Sequence, residues 1–320
     1  MNTAATDLAK ACFLRACELD VAVRKPGNVS WASGGHGMQA PMFIASAQAA
    51  AGPLFTPGAR VGERIEAAVA ATWAVAGCNT NLGILLLCAP IARAIERQPE
   101  AVAPAALREA IESVLAELDL ADAQATFRAI ARANPGGLGA APDEDVRLAP
   151  RVDLRAAMAL AAHRDSIARQ YRDAYTDLFD LGLAALGKGF SLMNAPRPTI
   201  TPSAPRGDMS KVAEPHLLMK TLVDGNPDTL TTAAVQRLYL TLLASFADSH
   251  IVRIHGEAVA HIVMTAAQGW ARRMQRDGQL DVDPDFAAWD ASLKADRINP
   301  GTTADLTVAA LLIAGLTSPS

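Results

Sequence analysis

The chain has 320 residues, enough for one large domain or two smaller ones with a substantial buried core. Its composition is 51% hydrophobic but only 5% aromatic, which favours alanine- and leucine-rich helices over sheets. A net charge of −4 lacks the basic excess of a nucleic-acid binder, so it argues against a polyanion partner and says little else about partners.

The N-terminus, MNTAATDLAKACFLRACELD, has acidic residues and no basic start with an apolar run, so no signal peptide is predicted. No apolar run approaches the ~20 residues that span a bilayer. Cys12, Cys17, Cys78 and Cys88 have no CxxC spacing and read as free thiols of a cytoplasmic protein. Helical periodicity covers about Thr6–Val21, Gly62–Ala76 and Ile84–Ile95. After Pro104, residues Leu107, Ala110, Ile111, Val114, Leu115 and Leu118 form one apolar helical face. Further patterns cover Leu154–Leu186, Thr229–Ala247, Glu257–Met274 and Ala304–Leu316, and Asp283-Pro284 reads as a helix start. Period-two alternation never exceeds five residues. The prediction is an all-α protein, a single compact domain over residues 1–320.

Chemistry is expected on the glycine- and proline-containing junctions between helices. RKPGNVSWASGGHGM (24–38) offers Lys25, Gly27, Asn28 and His36 as an anion loop, with neither Walker nor dinucleotide spacing. In AGCNTNLG (76–83), Asn79, Thr80 and Asn81 exceed what one helix cap needs, so part of the cluster is expected to bind ribose or adenine. ADSHIVRIHGE (247–257) is the densest ionisable cluster: Asp248 or His250 as acid, base or magnesium ligand, with Arg253 and His255 on phosphate. In NPGTTAD (299–305), Gly301 and Thr302 open a helix that suits an anion, and Thr302 with Asp305 has capping-box spacing. Asp165 and Arg169 read as a helix-surface ion pair beside Arg164. NPGGLG (134–139) and the proline-rich 194–210 complete the junctions.

In order and spacing these motifs resemble the triphosphoribosyl-dephospho-CoA synthase family: Lys25, Pro26, Gly27, Val29, His36 and Met38, then Asn79, Thr80 and Gly83, then Pro300, Gly301, Ala304 and Asp305. KPGNVS and NTNLG stand where the citrate lyase branch has KPGLVD and NTHKG, so the chain resembles a divergent archaeal and one-carbon-type branch. The resemblance implies a transferase that moves the triphosphoribosyl group of ATP onto the 2′-hydroxyl of dephospho-CoA and releases adenine. It further implies Mg²⁺, with Asp248 and Asp305 as metal ligands; Lys25, Arg253 and the loop amides on the triphosphate; and His36, His250 or Asp248 as base. Two other readings are carried: the same chemistry on a tetrahydromethanopterin precursor, and a nucleotide-binding protein without catalysis. Alanine-rich helices suit a homodimer, although nothing specific marks an interface.

Overall fold

A computed structural model describes residues 3–137, 144–187, 189–194 and 227–317. Among them the fold is all-helical, with one isolated two-residue bridge, Gly35–Met38, and no strand. The helices are α1 Thr3–Ala22, α2 Ala40–Leu54, α3 Val61–Ala76, α4 Leu82–Arg97, α5 Pro104–Ala116, α6 Leu120–Ala133, α7 Leu154–Ala161 and α8 Ser166–Arg172. A π-helical turn, Leu178–Gly182, runs into α9 Leu183–Leu186. Then come α10 Thr229–Ser245, α11 Ser249–His255, α12 Glu257–Asp277, α13 Pro284–Ala295 and α14 Gly301–Thr317. No described helix is long and apolar enough to cross a membrane.

Helices α4 and α14 are apolar nearly all round, the signature of helices surrounded by protein, and they lie against each other with α1 on α14. A second apolar cluster joins α10, α11, α12 and α13 through Tyr239, Ile251, Val263, Met274 and Phe286. Six helices start on aspartates that accept backbone amide hydrogens: Asp119, Asp153, Asp165, Asp228, Asp248 and Asp283.

Pro90 lies inside α4, where its missing N–H frees the Leu86 carbonyl one turn earlier. The buried Tyr171 hydroxyl donates to that carbonyl at 2.7 Å, and Tyr175 donates to Leu87 O at 2.7 Å. This docking explains why the predicted helical stretch 154–186 is broken. Asp165 starts a new helix, and Ala174 and Tyr175 take positive φ values of 50° and 58° to turn the second tyrosine inward. Helices α2 and α6 lie outside the predicted segments. At least half of the buried residues of each are alanine, which weakens the contrast of an apolar stripe. The 194–210 junction lies outside the described residues except Asn194, and 134–139 is described to Gly137.

Candidate active site

The junctions converge on one cavity of about 490 Å³. Asn28, His36, Asn79, Thr80, Asn81, His250, Arg253, Gly301, Thr302 and Asp305 of the predicted set line it. Lys25, Gly27, Asp248 and His255 do not.

The 24–38 loop is held from behind. The Tyr239 hydroxyl donates to Pro26 O (2.7 Å), the Gly27 amide donates to Asp290 Oδ1 (2.9 Å), and Ser33 Oγ donates to Asp290 Oδ2 (2.9 Å). Lys294 Nζ pairs with the same carboxylate at 2.9 Å. Gly27 has φ 82°, and a Cβ there would stand 2.7 Å from Pro300 Cδ and 2.8 Å from Ile298 O. Its glycine character serves this loop-to-loop approach, not a phosphate. Lys25 lies behind the cavity wall. Its side chain is fully buried, 3.0 Å from Asp20 Oδ1, and it donates to Asp20 O. An ammonium behind the wall reaches the cavity only through its partner, and Asp20 is the residue that lines it.

The NTN triad divides its tasks. Asn79 Oδ1 accepts from Leu82 N (3.1 Å) and caps α4, and Thr80 Oγ1 donates to Ser46 Oγ (2.7 Å). Asn81 remains, with its Nδ2 lacking a hydrogen-bond partner. Two residues on, a Cβ on Gly83 would overlap Asp305 Oδ2 and stand 2.7 Å from Ile167 Cδ1. Only glycine lets α4 pass so close to that carboxylate.

Asp248 is a joint between helices. Oδ1 accepts from His250 N (2.9 Å) and Ile251 N (3.0 Å); Oδ2 accepts from Thr303 N and Thr303 Oγ1, both 2.7 Å. Four donors occupy it and it is 2% exposed, so it registers α11 against α14 in place of the acid, base or metal roles expected. The Thr302–Asp305 capping box is likewise not formed. Helix α14 starts at Gly301, Asp248 serves its first turn from outside, and Asp305 is left facing the cavity.

The Asp305 side chain has no hydrogen bond or ion pair among the described residues. Desolvation, with Asp20 and Asp248 nearby, holds its carboxyl well above the usual carboxylate range. Burial also raises Asp20, against the pull of Lys25. Burial and the Arg253 charge push His250 down to about 4, so its imidazole is neutral at pH 7. His36 has φ 56°, and its Nε2 lies 2.8 Å from Gly27 O. A carbonyl only accepts, so Nε2 carries the proton and Nδ1 keeps the lone pair. His255 Nε2 donates to Arg297 O (3.1 Å). The expected Asp165–Arg169 pair is replaced: Arg169 pairs with Asp177 (2.9 Å) and covers the Phe246 ring, whereas Asp165 pairs with Arg253 (2.9 Å) at the cavity wall. Sequence reasoning did not single out Asp20 or Arg297, which also line the cavity; Asn299, the asparagine of the NPG turn, lines it too, and its Oδ1 accepts from Asn28 Nδ2 at 3.0 Å.

The model of the CitG family, ATP:dephospho-CoA triphosphoribosyl transferase, matches residues 6–199 and 217–320. The chain belongs to this family. Among solved structures, it is similar to an Archaeoglobus fulgidus protein provisionally described as a triphosphoribosyl-dephospho-CoA synthase. The match has 20% identity and TM-score 0.57, and covers 86% of this chain and 98% of that one, a likeness of fold. No curated protein matches. As a member, the chain is a transferase that moves the triphosphoribosyl group of ATP onto dephospho-CoA; the pterin acceptor and the non-catalytic binder are not favoured.

Proposed function

We propose that the cavity holds the ribose of ATP beside Asp20 and Asp305, with the acceptor hydroxyl on the His36 side. The observation that carries this is the meeting of the Gly83 turn, the α14 start and two buried carboxylates in one cleft, Asp305 with no side-chain partner among the described residues and Asp20 paired to Lys25 from behind. In a single displacement the acceptor oxygen bonds to the anomeric carbon while the bond to adenine breaks, which inverts the β-sugar to an α-linkage. His36 Nδ1 takes the hydroxyl proton, worth ~10²–10⁴-fold when positioned. Adenine takes up a proton as it leaves, and the unpaired Asn81 Nδ2 is available to hydrogen-bond it. The neutral His250 serves as a donor, because Arg253 Nη2 faces its Nδ1 at 3.5 Å. The apolar wall of Phe127, Ile130, Met158 and Leu160 suits the pantetheine arm.

Mg²⁺ fits the donor set. Among the described residues no three His, Cys, Asp or Glu side chains gather, but this cation needs only one or two carboxylates when phosphates supply the rest. Asp305 has no side-chain partner among the described residues and Asp20 lines the same cavity with Lys25 behind it, so these two would hold it and its charge would neutralise the triphosphate. The reading extends to a cytoplasmic protein with small-molecule partners, supported by free thiols of which three are buried and by a net charge of −4; the homodimer stays a proposal with no interface marked. Adenine release is expected to require Mg²⁺ and to fall ~10²–10³-fold in Asp20→Asn and Asp305→Asn at saturating ATP. Equal rates in EDTA, or full activity in both variants, contradict it.

A further inference from the structure

Most charges on the cavity wall already have partners. Arg253 pairs with Asp165 (2.9 Å), Glu144 with Arg151 (3.3 Å), Asp145 with Arg147 (2.6 Å) and Asp20 with Lys25 (3.0 Å). Two cations differ. Arg164, between α7 and α8, and Arg297, between α13 and α14, are exposed and line the cavity. Neither side chain has an ion pair or hydrogen bond among the described residues. Exposed guanidinium groups on a cavity wall that have no carboxylate partner of their own are set for a bidentate anion.

The backbone at Arg297 adds an independent observation. Helix α13 ends in a Schellman-type cap: Ile298 N donates to Leu293 O (2.8 Å) and Arg297 N to Lys294 O (3.1 Å). The residue at that position has φ 57°, in the left-handed region where glycine is the usual choice. An arginine there carries a conformational cost that glycine avoids. His255 holds the turn by donating to the Arg297 carbonyl. At Tyr175 a positive φ serves the fold by docking a hydroxyl, whereas the Arg297 side chain has no hydrogen bond or ion pair among the described residues for the strained turn to position.

We propose that Arg164, from the α7–α8 turn, and Arg297, from the α13–α14 turn, clamp the terminal phosphates of ATP, and that this clamp is what selects a triphosphate. The proposal rests on the reading of the cavity as the ATP site. Dephospho-CoA carries only a diphosphate bridge, so the clamp favours the donor over the acceptor. Expected roles on phosphate then move from Lys25, which is buried, to these two residues; Arg253 remains tied to Asp165.

Calorimetric titration with ATP, ADP and dephospho-CoA, on wild type, Arg164→Ala and Arg297→Gly, tests the clamp together with thermal melts. Each variant is expected to weaken ATP ~10–100-fold, the range of one or two charged hydrogen bonds, with ADP and dephospho-CoA changed less. Arg297→Gly is also expected to melt at or above the wild-type temperature, because glycine relieves the backbone. A residue serving only the fold would not couple a stable variant to lost ATP affinity. Unchanged ATP affinity in both variants, or equal weakening of ATP and ADP, overturns the clamp. Wild type that binds no ATP overturns the clamp and the reading of the cavity together; wild type that binds ATP with unaffected variants overturns the clamp alone.

Discussion

Asp305 is the residue on which the site and the fold make opposite demands. Its folded-state carboxyl lies well above the ordinary value of 3.8, chiefly through desolvation. The native state therefore holds a proton that the unfolded chain releases. Stability is highest below the unfolded value and is lost as pH rises toward the folded one. Asp305→Asn removes that loss. The variant is expected to melt above wild type at pH 7, with the gap closing as pH falls toward 4, while its activity drops; thermal melts across pH 4–8 check it, and a gap independent of pH contradicts it. This is the trade of stability for function common at active sites. Other residues were legible to different degrees. His36, Asn81 and Asp305 stand in short polar motifs and do face the cavity. Lys25 stands in an equally suggestive motif, but its fate is set by Asp20, five residues earlier on a helix and marked by nothing local. Arg297 has no motif, because only the backbone angle reveals that the position asks for glycine.

At the scale of elements, two joints register the helices that carry the site. Tyr171 satisfies a carbonyl that Pro90 frees on α4, and Asp248 bridges α11 to α14. Tyr171→Phe leaves a buried acceptor unpaired and is expected to cost ~1–3 kcal/mol in chemical denaturation. A loss below ~0.5 kcal/mol would show that the Leu86 carbonyl finds another partner. Most long helices were readable because their apolar spacing is set by local sequence, as in α5. The break-up of 154–186 was not, since it answers to a proline on a different helix. The Thr302–Asp305 pair was misread for a similar reason: the cap it imitates comes from Asp248, 55 residues away along the chain.

At the scale of the whole molecule, α4 and α14 form a buried pair whose N-terminal ends both open on the cavity. The KPG and NPG turns abut at Gly27 and Pro300, bringing distant parts of the chain to one cleft. Membership of the family fixes the reaction class, and the cleft supplies carboxylates, a neutral imidazole and unpaired guanidiniums for it. The most direct test is adenine release from ATP and Mg²⁺, with and without dephospho-CoA, followed by mass analysis of the acceptor. The account predicts adenine only when dephospho-CoA is present, matched by a product heavier by one triphosphoribosyl group. Adenine absent in both reactions despite ATP binding, or a product carrying phosphate or nucleotide instead, would contradict it.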